Sequence, residues 1–177
     1  TRGTFSSMKF NADDIPVISY HAMSDSITEY GSIKLATYVS SGGSGCNSAD
    51  GEHWVCETID RIDGTTELDH GTYTSLDFTY DGVLQVAFYN ADLNSLDTAW
   101  YQGFGGSCSN TEWGCTTIDD GVNRGQYVSL HSKDSPSDKM RLAYYNAFNG
   151  MLRYAESVGS GGNCTSSAYN CYEVDEI

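Results

Sequence analysis

The stretch Gly71-Thr72-Tyr73-Thr74-Ser75-Leu76 decides the fold, because the chain says nearly the same thing three times. Gly3-Thr4-Phe5-Ser6-Ser7-Met8 precedes it and Gly125-Gln126-Tyr127-Val128-Ser129-Leu130 follows it. Each phrase leads into an apolar, tyrosine-rich run: Pro16 to Ala22, Gln85 to Ala91, Arg141 to Ala147. Each copy then reaches a Gly/Ser-rich turn ending in Cys, with a second Cys soon after. A period of roughly 50 to 70 residues is the mark of a repeat architecture. It divides the 177 residues into units 1–69, 70–123 and 124–177.

Helical periodicity is nearly absent. Short runs rich in Val, Ile, Thr, Tyr, Phe and Trp alternate with clusters of Gly, Ser, Asn and Asp, the pattern of many short antiparallel strands. Four strands are expected per unit. In the second they run Tyr73 to Thr79, Leu84 to Asn90, Leu96 to Tyr101 and Trp113 to Ile118. In the third they run Tyr127 to Ser132, Met140 to Tyr145, Met151 to Glu156 and Tyr169 to Val174, with Asn149-Gly150 as a type I′ turn. In the first they run Thr4 to Phe10, Pro16 to Tyr20, Ile33 to Val39 and Trp54 to Ile59, and an insertion, Met23 to Ser32, separates the second strand from the third. Four strands per unit, stacked radially, describe a propeller blade. The fold class is therefore all-β: three four-stranded antiparallel blades. Phe5, Tyr73 and Tyr127 hold one matched position and Trp54, Trp113 and Tyr169 another. Aromatics so placed suit blade-to-blade packing.

The formal charge of −15, from 24 acidic against 9 basic residues, excludes phosphate-binding surfaces, hence nucleic acid and anionic membranes as partners. No apolar run approaches the ~20 residues that span a bilayer. Thr1 opens no signal-peptide pattern, which fits a processed or trimmed chain. Six Cys fall into three close pairs, Cys46 with Cys56, Cys108 with Cys115 and Cys164 with Cys171. Local pairing is the one connectivity that treats the repeats alike. It predicts three disulfides and an oxidising, extracellular or cell-surface location.

Three blades fall short of the 4 to 8 of typical propellers. The first and third are expected to present open faces, and large exposed apolar faces mark association surfaces. The two faces differ, so their pairing is head to tail, giving a ring or a filament; a longer parent chain is the third option. The predicted assembly face gathers around Phe5, Met8, Val17 and Ile18, and the predicted partner is the protein itself.

The string Ala143-Tyr144-Tyr145-Asn146-Ala147-Phe148-Asn149-Gly150-Met151-Leu152-Arg153-Tyr154-Ala155 resembles the YYDA-x-x-G-x-L-x-Y-A blade of secreted bacterial and archaeal β-propeller proteins. The Gly-x-Tyr-x-Ser-Leu phrases and the Cys-x-x-Val/Ile-Asp endings fit the same pattern. The resemblance implies the fold and leaves function open. A second similarity, to small lectins whose two-blade chains assemble into six-bladed rings, implies a sugar site of an arginine, an acid and an aromatic. The counterparts here are Arg141, Glu156 and Tyr154, in the third copy alone, since Gln85 replaces Arg141 in the second.

No catalytic constellation stands out. The sialidase Asp-box is absent, and the five Arg are scattered. With 24 carboxylates, some pair at glycosidase spacing is uninformative. The protein is expected not to be an enzyme; a glycan-binding module is the alternative and a propeller glycosidase ranks third. His21, His53, His70 and His131 show no metal-binding spacing and are read as surface or turn residues. Ser7, Ser75 and Ser129 recur as hydrogen-bonding strand residues. Asp60, Asp63, Asp119, Asp120, Asp175 and Glu176 close the fourth strands and are a weak Ca²⁺ candidate, with no other cofactor expected. Asn163-Cys164-Thr165 is a sequon that makes Asn163 a glycosylation candidate.

Overall fold

A computed structural model describes residues 2–23, 31–47, 50–61 and 70–175. Blade one consists of β1 (Arg2–Phe10), β2 (Pro16–Ala22), β3 (Ser32–Tyr38) and β4 (Trp54–Arg61). Blade two consists of β5 (His70–Phe78), β6 (Leu84–Asn90), β7 (Ser95–Tyr101) and β8 (Trp113–Asp119). Blade three consists of β9 (Arg124–His131), β10 (Arg141–Asn146), β11 (Met151–Ser157) and β12 (Tyr169–Asp175). Each blade is a four-stranded antiparallel meander in chain order. The described residues hold no α-helix, and one 3₁₀ turn, Gly51–His53, leads into β4. Three disulfides, Cys46–Cys56, Cys108–Cys115 and Cys164–Cys171, close each blade's last loop onto its outer strand. They place the protein in an oxidising environment.

Hairpin loops explain the strand ends. Asn90 and Asn146 end β6 and β10, and their side-chain oxygens accept backbone N–H groups of the loops that follow, Asp92 and Leu93 for Asn90 and Phe148 for Asn146. Blade one has Ala22 at that position, just where the insertion begins. Most of that insertion lies outside the described residues. The Asn149-Gly150 turn is not type I′. Only Gly150 has a positive φ, 76°, and it closes a four-residue loop, Ala147 to Gly150. A type I′ turn needs both central residues left-handed.

The inner strands β1, β5 and β9 share a kink that strand periodicity does not announce. In β5, Gly71 (φ 90°) and Tyr73 (φ 54°) are both left-handed, and the β5–β6 register shifts on either side of Thr72. Phe5 (φ 52°) and Tyr127 (φ 52°) repeat this behind Gly3 and Gly125. A bulky side chain in this region costs about 1–2 kcal/mol. The kink turns the ring out of the sheet toward the next blade. Phe5 and Tyr73 lie 4.4 Å apart between ring centroids, and so do Tyr73 and Tyr127. One continuous aromatic ladder thus runs across all three inner strands, and each tilted ring pair returns about 0.5–1.5 kcal/mol beyond its buried area.

The glycine before each ring serves close approach as well as φ. A Cβ on Gly71 would stand 2.7 Å from the Ile33 backbone nitrogen, and one on Gly125 would stand 2.7 Å from the Leu96 Cα. A Cβ on Gly3 would meet nothing within 4 Å. Gly71→Ala and Gly125→Ala are therefore expected to lower the unfolding free energy by about 2–4 kcal/mol, summing backbone strain and overpacking. Gly3→Ala carries the strain alone, about 1–2 kcal/mol. Denaturant titration of the three variants at low protein concentration checks this, and equal losses at all three sites would refute the packing argument.

Candidate functional site

Successive strand residues point to opposite faces. Each blade therefore has a leading face, toward the blade before it, and a trailing face, toward the blade after it. In the first joint, Val17, Ile33, Leu35 and Ile59 of blade one's trailing face pack on Leu76, Val86, Phe88 and Trp113 of blade two's leading face. In the second, Ala87, Leu96 and Ile118 pack on Leu130, Leu142, Tyr144 and Ala155. This corrects one expected assembly residue. Val17 is buried against blade two. Its neighbour Ile18 points the other way, so the two cannot share the open face.

The joints are also locked by polar contacts that repeat. The Leu76 amide donates to Ser7 Oγ (3.2 Å), and the Leu130 amide donates to Ser75 Oγ (3.0 Å). At the outer ends, the Asn110 amide donates to Ile59 O and the Ser166 amide to Ile118 O. Asp60, closing β4, accepts from His70 Nε2 (3.0 Å) and the Ser109 amide (2.7 Å). Asp119, closing β8, takes Arg124 Nη1 (2.9 Å), Arg153 Nε (3.1 Å) and the Tyr144 hydroxyl (2.6 Å). Burial, then the Asp119 charge, pushes the Tyr144 hydroxyl well above its ordinary range. The four-group cluster is particular to the second joint: in blade two, Phe88 stands where Tyr144 does and Asp97 where Arg153 does.

Among the described residues, the two outermost faces present the same surfaces without a cover. On blade one's leading face, Ile18, Tyr20, Ala36, Trp54 and the Cys46–Cys56 bridge line a shallow depression of about 430 Å³. Met8 is 54% exposed, against 0% and 6% for its counterparts Leu76 and Leu130. On blade three's trailing face, Leu152 is 44% exposed, whereas Ile33 and Leu96 at the matched position are wholly buried. Val174 is 57% exposed, whereas Ile59 and Ile118 are wholly buried. Of the expected assembly residues, Met8 and Ile18 lie on the leading face, whereas the Phe5 ring sits at the inner edge and stacks on Tyr73 of the next blade.

Arg141, Tyr154 and Glu156 come together on blade three's trailing face. Arg141 and Glu156 are register partners in the β10–β11 pair, and the Tyr154 hydroxyl donates to Glu156 (3.4 Å). Each charge already has a protein partner: Lys139 holds Glu156 at 2.8 Å and Asp138 holds Arg141 at 2.7 Å. The hydrogen bond from Lys139 lowers the Glu156 carboxyl, and that from Arg141 brings Asp138 down to about 2.

The remaining candidates have structural partners. Asp60, Asp119 and Asp120 do not gather: the first two serve different joints, and Asp120 bonds Thr165 across the second. Asp175 is exposed at the edge of β12, and Asp63 and Glu176 lie outside the described residues. Asn163 clamps its own blade, its Oδ1 accepting the Cys171 amide (2.6 Å) and its Nδ2 donating to the Cys171 carbonyl (3.2 Å). Ser107 does the same for Cys115, so the sequon asparagine has a fold role at a matched position. His21 and His70 are buried in the first joint, not in surface turns. His21 meets Thr4 Oγ1 and the Phe5 ring, and His70 meets Asp60. A cluster of His131, Asp134 and Asp138 lies at the end of β9, with Asp138 already bound to Arg141.

Sequence reasoning missed the inter-blade role of the Asp that closes each fourth strand. Its signal was the Cys-x-x-Ile-Asp ending in copies one and two, paired with a basic residue before the recurring glycine, His70 or Arg124. Compared with known proteins, the sequence matches no protein-family model and none of the curated proteins.

Burial works to raise the Asp60 carboxyl, but the His70 bond, the Ser109 bonds and the His70 charge outweigh it and hold it below the ordinary range. A carboxyl lowered in the folded state stabilises above its unfolded pKa, near 4, and that stabilisation disappears as pH falls through the lowered value. Asp60→Asn is therefore expected to cost about 1–3 kcal/mol at pH 6. The variant should then lose less stability than the wild type as pH falls below about 4. Unfolding titrations at several pH values check this; parallel losses in both proteins would contradict it.

Proposed function

We propose that the chain is an extracellular, non-catalytic repeat protein of the propeller type that joins copies of itself head to tail as a structural unit. The observation that carries this reading is the state of one matched position: Ile59 and Ile118 are wholly buried by the next blade, and Val174 is 57% exposed. Met8, Ile18, Trp54, Leu152 and Val174 are residues of joint-forming type on uncovered faces. Being already about half buried, such side chains gain roughly 1 kcal/mol each when covered, which together reaches the lower end of the ~4–15 kcal/mol entropic cost of association. Leading and trailing faces are different surfaces, so the contact is heterologous, and it closes into a ring or propagates as a filament. The three disulfides suit an extracellular setting.

A second reading has its own observation. Arg141, Tyr154 and Glu156 converge on one exposed face with Tyr172, whose ring lies 5.9 Å from that of Tyr154. Aromatic surface beside paired charges is suited to a carbohydrate, and in this reading the protein is a glycan-binding module.

Sedimentation and electron microscopy separate the two. The structural unit is expected to grow with protein concentration in plain buffer, with no sugar added, and a monomer at every concentration would overturn the proposal. Val174→Asp should raise the concentration needed for assembly at least about tenfold, which is 1.4 kcal/mol, without changing the melting of the isolated chain. Retention on a sugar matrix that Arg141→Ala abolishes, from a species whose size does not depend on concentration, would establish the second reading.

A further inference from the structure

Both internal joints obey one contact rule, and the two outer faces each hold half of it. The glycine of an inner strand seats on the second residue of the preceding blade's third strand, Gly71 on Ile33 and Gly125 on Leu96. The inner-strand serine of one blade accepts the amide three residues after the next blade's kinked ring, as Ser7 does from Leu76 and Ser75 from Leu130. The Asp closing an outer strand pairs with the basic residue that opens the next inner strand, Asp60 with His70 and Asp119 with Arg124. The rings stack in sequence, Phe5 on Tyr73 and Tyr73 on Tyr127. At the third occurrence every acceptor half is uncovered: Leu152, Ser129, Asp175 and Tyr127 are all exposed. The donor half is present on blade one, where Gly3 faces open space and Met8 is exposed. The sequence places Arg2 at the position held by His70 and Arg124.

Resting on the self-association reading, we propose that the joint between copies repeats the internal joints residue for residue. One copy's Gly3 seats on Leu152 of another, its Phe5 ring extends the ladder past Tyr127, and its Met8 amide reaches Ser129. The same register brings position 2 of one copy to Asp175 of the other. The occupant of the open faces is a second copy of this chain, because the internal joints already show which surface each face accepts, and the charges at positions 2 and 175 are complementary in the same sense as those of Arg124 and Asp119 inside the chain.

A charge exchange tests the register apart from the assembly. Arg2→Asp and Asp175→Arg are made singly and together in the whole 177-residue chain, with the disulfides intact. Sedimentation gives the association constant, and melting below the association range controls for folding. Each single variant is expected to associate at least about tenfold more weakly, as loss of an interfacial charge pair does. The double variant is expected to recover most of it. So is an equimolar mixture of the two single variants, in which alternating copies again set opposite charges against each other at every joint. If the wild type associates but the single variants match it, or the double variant is no better than either, the register is wrong while self-association stands. If the wild type stays monomeric, both fall.

Discussion

A blade cannot cover itself. Four short strands make a sheet with two faces, and most of the described buried apolar residues lie on those faces, against the next blade. Hydrophobic burial in this protein is therefore almost wholly a matter between sheets. Val17, Ile33, Leu35 and Ile59 are buried only because Leu76, Val86, Phe88 and Trp113 of the next blade sit on them. The disulfides fasten each blade's last loop to its own outer strand. They secure the unit, and their side chains add apolar surface to the joints, Cys108 in the first and Cys171 in the second. Everything that orders one blade against the next has to come from the faces and their edges.

The edges do this with a strained device used three times. A left-handed glycine brings the inner strand against its predecessor, and a left-handed aromatic two residues later swings a ring into a shared ladder. The glycine adopts its conformation freely, but the aromatic residue does not, and three aromatic residues hold it at once. Such strain persists where the surroundings over-determine it. Here they do so through the ring neighbours and through hydrogen bonds such as that from Thr74 Oγ1 to the Phe5 carbonyl (2.9 Å). Burial, together with the Tyr127 hydroxyl close by, raises the Tyr73 hydroxyl above its ordinary range. The ladder is therefore packed against itself, and its rings are engaged edge and face by one another before any ligand is considered.

Much of this was legible in the sequence. Twelve strands follow from alternation and turn residues, because both signals are local, and β6 (Leu84–Asn90) has the expected ends. The three disulfides follow from spacing. What was hidden depends on contacts between distant residues. The inner strands begin earlier than alternation suggests, at Arg2, His70 and Arg124, since pairing resumes before the kink. Nothing in Gly-Thr-Tyr says that the tyrosine itself is left-handed, because that conformation is sustained by rings on other blades. His70 reads as a turn residue until Asp60, ten residues away, is seen to accept from it across the joint. The clamp of Asn163 on Cys171 likewise becomes visible only when Ser107 is found doing the same work on a matched loop.

The charged group on blade three bears on how its face is used. Arg141, Lys139, Asp138 and Glu156 are paired among themselves at 2.7 and 2.8 Å, so the group is nearly neutral as a whole. Neutral, internally paired charges cost far less to desolvate than lone ones. At the matched position in blade two, Gln85 accepts from Ser132 across the joint, and blade one has Phe10 where blade three has Ser132. On the self-association reading, a copy docked in the internal register would bring the exposed Phe10 ring toward the Arg141 guanidinium, where a cation–π contact would offset placing an arginine in a joint built largely from apolar residues. A sugar stacked on Tyr154 would occupy the same ground. The two readings of this face exclude one another in space, and a glycan that bound there would act on the protein as a chain terminator.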